Sequence, residues 1–199
     1  MAAFRKIKGL LGQDVSALVS PSRLKAALSA TAEEVQAQLW EAVAALDMVA
    51  VERAIKAGAN PSQCSAQGVS ALHMAARSGN VALLSALLAS AHARPPALDE
   101  PSAQGFSALS DASAAGCSGC AMALIDAGAN ARLAGPRGVT ALHRAAAQDN
   151  AEVLRVLSKA GASWQAVDID GVTPLDVLAQ HRPHAVHAWR RRAQQSGSS

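Results

Sequence analysis

A recurring phrase constrains this chain more than any other feature. Gly68, Gly105, Gly138 and Gly171 open G-V-S-A-L-H, G-F-S-A-L-S, G-V-T-A-L-H and G-V-T-P-L-D, and successive openings lie 37, 33 and 33 residues apart. Gly58, Gly128 and Gly161 keep step with them, each ten residues ahead of an opening. Two markers in phase at this period point to a stack of short units. One such unit cannot bury its apolar face alone, so neighbours must cover one another around a continuous core. Composition fits a narrow stack. Half of the residues are apolar, yet only 3% are aromatic and Tyr is absent, so Ala, Leu and Val must fill the interior. Small side chains let helices approach closely.

Each phrase reads as the start of a helix. Ser70, Ser107, Thr140 and Thr173 sit where a hydroxyl caps the first free backbone N–H groups, and Pro174 suits the first helical position, which needs no N–H. Leu72, Leu109, Leu142 and Leu175 follow at one register. Ala75 with Ala76, Ala112 with Ser113 and Ala145 with Ala146 predict a slim inner helix. Leu83 with Leu84, Leu87 with Leu88, and Val153 with Leu154 predict the apolar face of a second, outer helix. Gly58, Gly128 and Gly161 end outer helices in the left-handed geometry that glycine accepts.

The period and the phrase resemble the ankyrin repeat, whose unit is about 33 residues and whose signature is T-P-L-H-x-A. The resemblance covers residues 35 to 192 and implies an all-α solenoid of helix-turn-helix units joined by short hairpin finger loops. The expected units are 35–67, 68–104, 105–137, 138–170 and a capping unit 171–192. A lead and helical cap precede them over 1–34, and a flexible tail follows over 193–199. In the first unit Leu39, Ala42 and Val43 fall in register although the opening phrase is degenerate. Ser20 with Pro21 is expected to start a short cap helix, and Thr31 with Glu34 makes a capping box for the next. In the final unit Val186 and Trp189 should face inward and Arg190, Arg191 and Arg192 toward water.

Departures from the family pattern are informative. The second unit is four residues longer than its neighbours, and the excess falls in 93–104 with Pro95, Pro96 and Pro101, implying a longer finger loop. His73 and His143 keep the histidine that braces the turn in this family. Ser110, Asp176 and Trp40 replace it, so the third unit is expected to be the softest. Asn60 and Asn130 stand two places ahead of the position usually hydroxylated in ankyrin repeats, which argues against that modification.

Charge and motifs narrow the function classes. The net charge is +3, but residues 68–180 hold seven Arg or Lys against nine Asp or Glu, and residues 181–199 hold four Arg and no acid. The body has neither the basic track nor the aromatic platforms that nucleic acid needs. No run approaches the roughly 20 apolar residues of a membrane span. The N-terminus lacks the apolar core and cleavage site of a secretory signal, so an intracellular, most simply cytoplasmic, location and reduced thiols at Cys64, Cys117 and Cys120 are expected. Arg5, Lys6 and Lys8 lie beside Phe4, Ile7, Leu10 and Leu11 in a short lead. A flexible or cap-forming role is expected there, with anionic-membrane contact and organelle targeting as the alternatives.

Cys117 and Cys120 spell C-x-x-C, but no second C-x-x-C stands at zinc-finger spacing, and the register makes Cys120 a buried outer-helix position. His181, His184 and His187 form a drifting stripe and read as a solvated helix face. No nucleophile elbow, phosphate loop, dinucleotide fingerprint or H-E-x-x-H motif occurs. Neither catalysis, a cofactor nor a metal is therefore expected.

The resemblance instead implies a binding groove formed by finger loops and inner helices. Its positions carry Gln67, Val69, Met74 and Arg77 in the second unit, and Gln104, Phe106 and Asp111 around the third. Arg137, Val139, Arg144 and Gln148 follow around the fourth, and Asp170, Val172 and Val177 around the last. The expected function is non-catalytic binding of another protein, of partly acidic character, by a monomer. The alternative is an accessory or regulatory subunit tethering an enzyme, at a membrane or organelle, through its basic termini. Phe106, one of two phenylalanines, is the expected exposed anchor, with burial under its own long loop as the competing reading. On that basis Phe106→Ala and Arg144→Glu should abolish partner binding without loss of stability.

Overall fold

The computed structural model describes residues 21–89, 97–183 and 186–196. Inner helices are α1 (Pro21–Ala44), α3 (Ala71–Ser78), α5 (Ala108–Ala114), α7 (Ala141–Ala147) and α9 (Pro174–His181). Outer helices are α2 (Met48–Lys56), α4 (Val81–Leu88), α6 (Ser118–Asp126), α8 (Ala151–Lys159) and α10 (Val186–Ser196). Each helix pair turns back on itself, and like packs on like along the stack: α3 on α5, α5 on α7, α7 on α9, and α4 on α6, α6 on α8. The fold is the all-α solenoid that the repeat implied.

Local chemistry explains where the helices begin. Ser70, Ser107 and Thr173 accept the backbone N–H groups of His73, Ser110 and Asp176 at 3.2–3.4 Å. Outer helices use Asn80 and Asn150, whose side chains accept from Leu83 and Val153 at 3.0 and 3.1 Å. Such caps each contribute about 1 kcal/mol. The inner leucines Leu72, Leu109 and Leu142 are buried at the same register, as are the outer pairs Leu83 with Leu84 and Val153 with Leu154. Leu175, in the last phrase, is only half-buried. Full burial of such a side chain is worth about 1.5–3 kcal/mol, so the stack draws its stability from repeated layers.

Adjacent fingers lie close enough to exclude a side chain at their turns. Gly68 has φ 67°, and a Cβ there would fall 2.6 Å from the Ala103 Cβ of the next finger. The Gly68 carbonyl accepts the Ala103 N–H at 2.7 Å, and the Arg137 carbonyl accepts the Ile169 N–H at 2.9 Å. Glycine thus serves both the left-handed turn and the finger-to-finger contact.

Four local expectations need correction or restriction. Helix α1 runs unbroken from Pro21 to Ala44, so Thr31 and Glu34 do not open a second helix; nothing between Pro21 and Ala44 obliges the chain to stop. In the long finger, residues 90–96 lie outside the described residues, but Ala97–Asp99 makes a 3-10 turn that plugs Leu98 into the core. The basic lead, residues 1–20, also lies outside them. At the far end Val186 and Trp189 are buried while Arg190 and Arg191 are exposed; the Arg192 side chain is not among those described.

Candidate functional site

The inner-helix register that carries Met74 in α3 carries Asp111 in α5, Arg144 in α7 and Val177 in α9. Because the units stack, residues about 33 apart in sequence become neighbours. Arg77 Nε donates to Asp111 Oδ2 at 3.0 Å, and Arg144 Nη1 donates to Asp111 Oδ1 at 3.0 Å. The Asp111 side chain is fully enclosed, whereas those of Arg77 and Arg144 are 38% and 23% exposed. One buried carboxylate therefore ties three successive inner helices together. The clamp extends outward on both sides. Arg77 Nη2 donates to Gln104 Oε1 at 3.0 Å, and the Arg144 guanidinium lies 4.2 Å from the centre of the Phe106 ring.

These contacts correct the sequence reading of three residues. Asp111 is not offered to a partner, because its two neighbours cover it. Arg144 neutralises a buried charge, so Arg144→Glu would place like charges together and destabilise the fold. Phe106 is half-buried: its ring lies beneath Arg144 and against Gly135, where an added Cβ would fall 2.7 Å from the ring. It is neither a free anchor nor, among the described residues, covered by its own long loop.

The other candidate positions are more open. Gln67, Gln104, Arg137, Gln148 and Asp170 are exposed, and Met74, Val69, Val139, Val172 and Val177 are half-buried. Arg137 and Asp170 join neighbouring fingers by a 2.6 Å ion pair, both side chains about 60% exposed. Such a pair adds little stability in water and leaves both groups available. Val167 and Ile169, 56% and 66% exposed on the last finger, extend the face with apolar surface that the sequence reading missed.

Family models match the same stretch of chain: ankyrin repeats in three copies over residues 39–134, and ankyrin repeats in many copies over residues 124–178. The chain belongs to the ankyrin-repeat family. It is 35% identical over 126 residues to the nuclear factor NF-kappa-B p105 subunit of Mus musculus, a match covering 62% of this chain and 13% of that protein. The corresponding subunit of Gallus gallus is 34% identical over 146 residues, 72% of this chain and 15% of that one. The chain thus spans less than a fifth of the length of these curated relatives. Ankyrin repeats generally mediate protein–protein interaction and are typically non-catalytic.

Within the ankyrin units the two histidines that keep the family pattern act as braces between neighbours. His73 Nδ1 lies 2.8 Å from Ser70 Oγ in its own unit, and its Nε2–H donates to the Phe106 carbonyl of the next at 3.0 Å. His143 repeats this with Thr140 Oγ1 at 2.9 Å and the Val172 carbonyl at 3.0 Å. Ser110, at the same register, leaves its buried Oγ without a partner. In the last ankyrin unit Asp176 substitutes by a capping box, accepting the Thr173 hydroxyl at 2.6 Å and the Thr173 N–H at 3.0 Å. That hydrogen bonding holds the Asp176 carboxyl below its usual range.

Burial pushes the His73 pKa below its ordinary 6.5, against the opposing influence of Asp111 and the Phe106 carbonyl. The unfolded chain consequently takes up this proton more readily than the folded one. The stability from a neutral His73 is present above the unfolded value and lost as pH falls from there through the lower folded one. We expect the urea midpoint to fall between about pH 7.5 and about pH 5.5, and less steeply in His73→Gln. Equal slopes in the two proteins would rule His73 out as the source.

Among the described residues no group of three or more His, Cys, Asp or Glu side chains is placed to hold a metal ion. His181 and His187 are exposed, and His184 lies outside those residues. The cysteines depart from expectation: Cys117 and Cys120 form a disulfide, and Cys64 alone is free. The reason is local, since a cysteine at the cap of α6 meets the third residue of the helix. Burial and the nearby Glu100 push the Cys64 thiol up. No described helix is long and apolar enough to cross a membrane.

Proposed function

We propose that this chain is a non-catalytic binding module, acting as a monomer inside the cell, that holds another protein against its finger and inner-helix face. One observation carries the reading: Gln104, Arg77, Arg144 and Phe106, held in line by the enclosed Asp111, make a continuous, partly exposed surface across three ankyrin units. Two arginines against one carboxylate leave an excess positive charge there. A partner segment with acidic side chains complements it, and such complementarity acts mainly on approach and register. Gln67, Met74 and Gln148 supply further polar and apolar contact, and Arg137 with Asp170 extends the face along the fingers.

The test uses substitutions outside the clamp. The full chain, tagged, is compared with a Gln67→Glu, Arg137→Glu, Gln148→Glu variant and with Met122→Glu on outer helix α6, where Met122 is 50% exposed. All four residues are surface positions, so melting temperatures should agree within a few degrees. A protein captured by the wild type and by Met122→Glu should be depleted about tenfold or more by the triple variant, a loss of about 1.4 kcal/mol or greater. Capture that is indifferent to the triple variant, but lost with Met122→Glu, would transfer the site to the outer helices.

A further inference from the structure

Cys117 and Cys120 bracket the first turn of α6. Cys117 is the N-cap residue, and its sulfur accepts the Cys120 backbone N–H at 3.1 Å. It is half-buried, whereas Cys120 is fully enclosed. Their Cα atoms lie 5.3 Å apart, within the span that a disulfide bridges without backbone movement. The free N–H groups of a helix N-terminus stabilise a thiolate at this position, which makes an otherwise ordinary cysteine nucleophilic. Three features therefore converge: a half-buried cysteine on a helix N-terminus, a fully enclosed second one, and a geometry that already joins them.

We propose that Cys117 and Cys120 are a redox-active dithiol that exchanges with disulfides of the glutathione class. Cys117, as thiolate, attacks one sulfur of the oxidised tripeptide; that S–S bond breaks, and the departing glutathione thiolate takes up a proton. The resulting mixed disulfide sits on Cys117. Cys120 then loses its proton and attacks the Cys117 sulfur, forming the intramolecular bond and expelling the second glutathione as thiolate, which the released proton neutralises. Two protein thiols are oxidised and one glutathione disulfide is reduced to two thiols. The shielded position of Cys120 suits a resolving role, since it reaches Cys117 but not a bulky reagent.

Closure also has a structural consequence. The Cys117 sulfur lies 3.5 Å from the carbonyl of Gly79, the C-cap of α3 in the preceding unit. While protonated, the Cys117 thiol donates to that carbonyl; the attacking thiolate and the resulting disulfide have no proton to donate. Oxidation thus removes a link between the second and third ankyrin units, without involving the finger face.

The reduced full-length chain is placed in glutathione buffers of graded disulfide content, quenched with an alkylating reagent and mapped by peptide mass. The Cys117–Cys120 peptide should lose two hydrogens and both alkyl groups as disulfide rises, and the change should reverse when reduced glutathione is restored. In reduced protein near pH 7, Cys117 should alkylate about tenfold faster than Cys64. In Cys120→Ala the glutathione adduct should accumulate on Cys117 instead of being released. A wild-type Cys117 that stays free while Cys64 becomes modified, or that retains its adduct unresolved, would overturn the proposal. The wild-type result decides even if the variant folds poorly.

Discussion

Replacing both Arg77 and Arg144 with methionine is expected to lower the stability of the folded chain by about 3–5 kcal/mol, and adding Asp111→Leu is expected to restore most of that loss. The argument rests on where the desolvation lies. Asp111 is fully enclosed, whereas its two partners keep 38% and 23% of their side-chain surface in water. Screening by solvent makes each arginine dispensable in isolation, because the other still neutralises the carboxylate. Removing both strands a charge where water cannot reach it. The triple variant has no charge to strand, so an apolar side chain of similar volume should be tolerated. Urea unfolding of wild type, the double variant, Asp111→Leu alone and the triple variant gives the cycle directly. A double variant within about 1 kcal/mol of wild type, unimproved by Asp111→Leu, would show that Asp111 is solvated.

Trp164→Ala should remove about 3–5 kcal/mol as well, by a different mechanism. Trp164 is 2% exposed, its ring centre is 5.4 Å from that of Trp189, and its indole N–H donates to Ser158 Oγ at 3.0 Å. Truncation leaves a cavity between α8 and α10, forfeits the aromatic contact and deprives a half-buried hydroxyl of its donor. Ser158 still donates to the Leu154 carbonyl at 2.6 Å, which limits the polar part of the loss. The damage lies at the end of a stack whose units stabilise only their neighbours, so α9 and α10 should open before the central units. A denaturant transition that broadens or splits, with Trp189 emission changing first, is the expected signature. A single unshifted transition would show that Trp164 contributes no more than a surface residue.

The architecture was legible because it is written as a period. Gly68, Gly105, Gly138 and Gly171 repeat for a backbone reason, and the leucines behind them share one register, so neither needs tertiary knowledge to interpret. Binding positions were harder to read. Register places Asp111 and Arg144 on the inner-helix face, but it does not say that one neutralises the other. The opposite charges 33 residues apart were the available signal, together with Arg77 one turn further along α3. Phe106 was misread for the same reason, since its covering atoms come from Gly135 at the far end of its own unit and from Arg144 in the next. Gln36 left no periodic trace at all, yet it is buried and exchanges two hydrogen bonds with the Asn60 backbone, at 2.8 and 2.9 Å. The C-x-x-C pair was visible in sequence. Its joining was not, because that follows from the capping geometry at Cys117.

The central claim is that a partner protein lies against the fingers and inner helices, and hydrogen exchange on the captured complex locates it most directly. Amides in the fingers around Gln67, Gln104, Arg137 and Asp170 should become protected by about tenfold or more, with those of α4, α6 and α8 unchanged. Protection confined to α4, α6 and α8, with the fingers exchanging as in the free chain, would contradict the account.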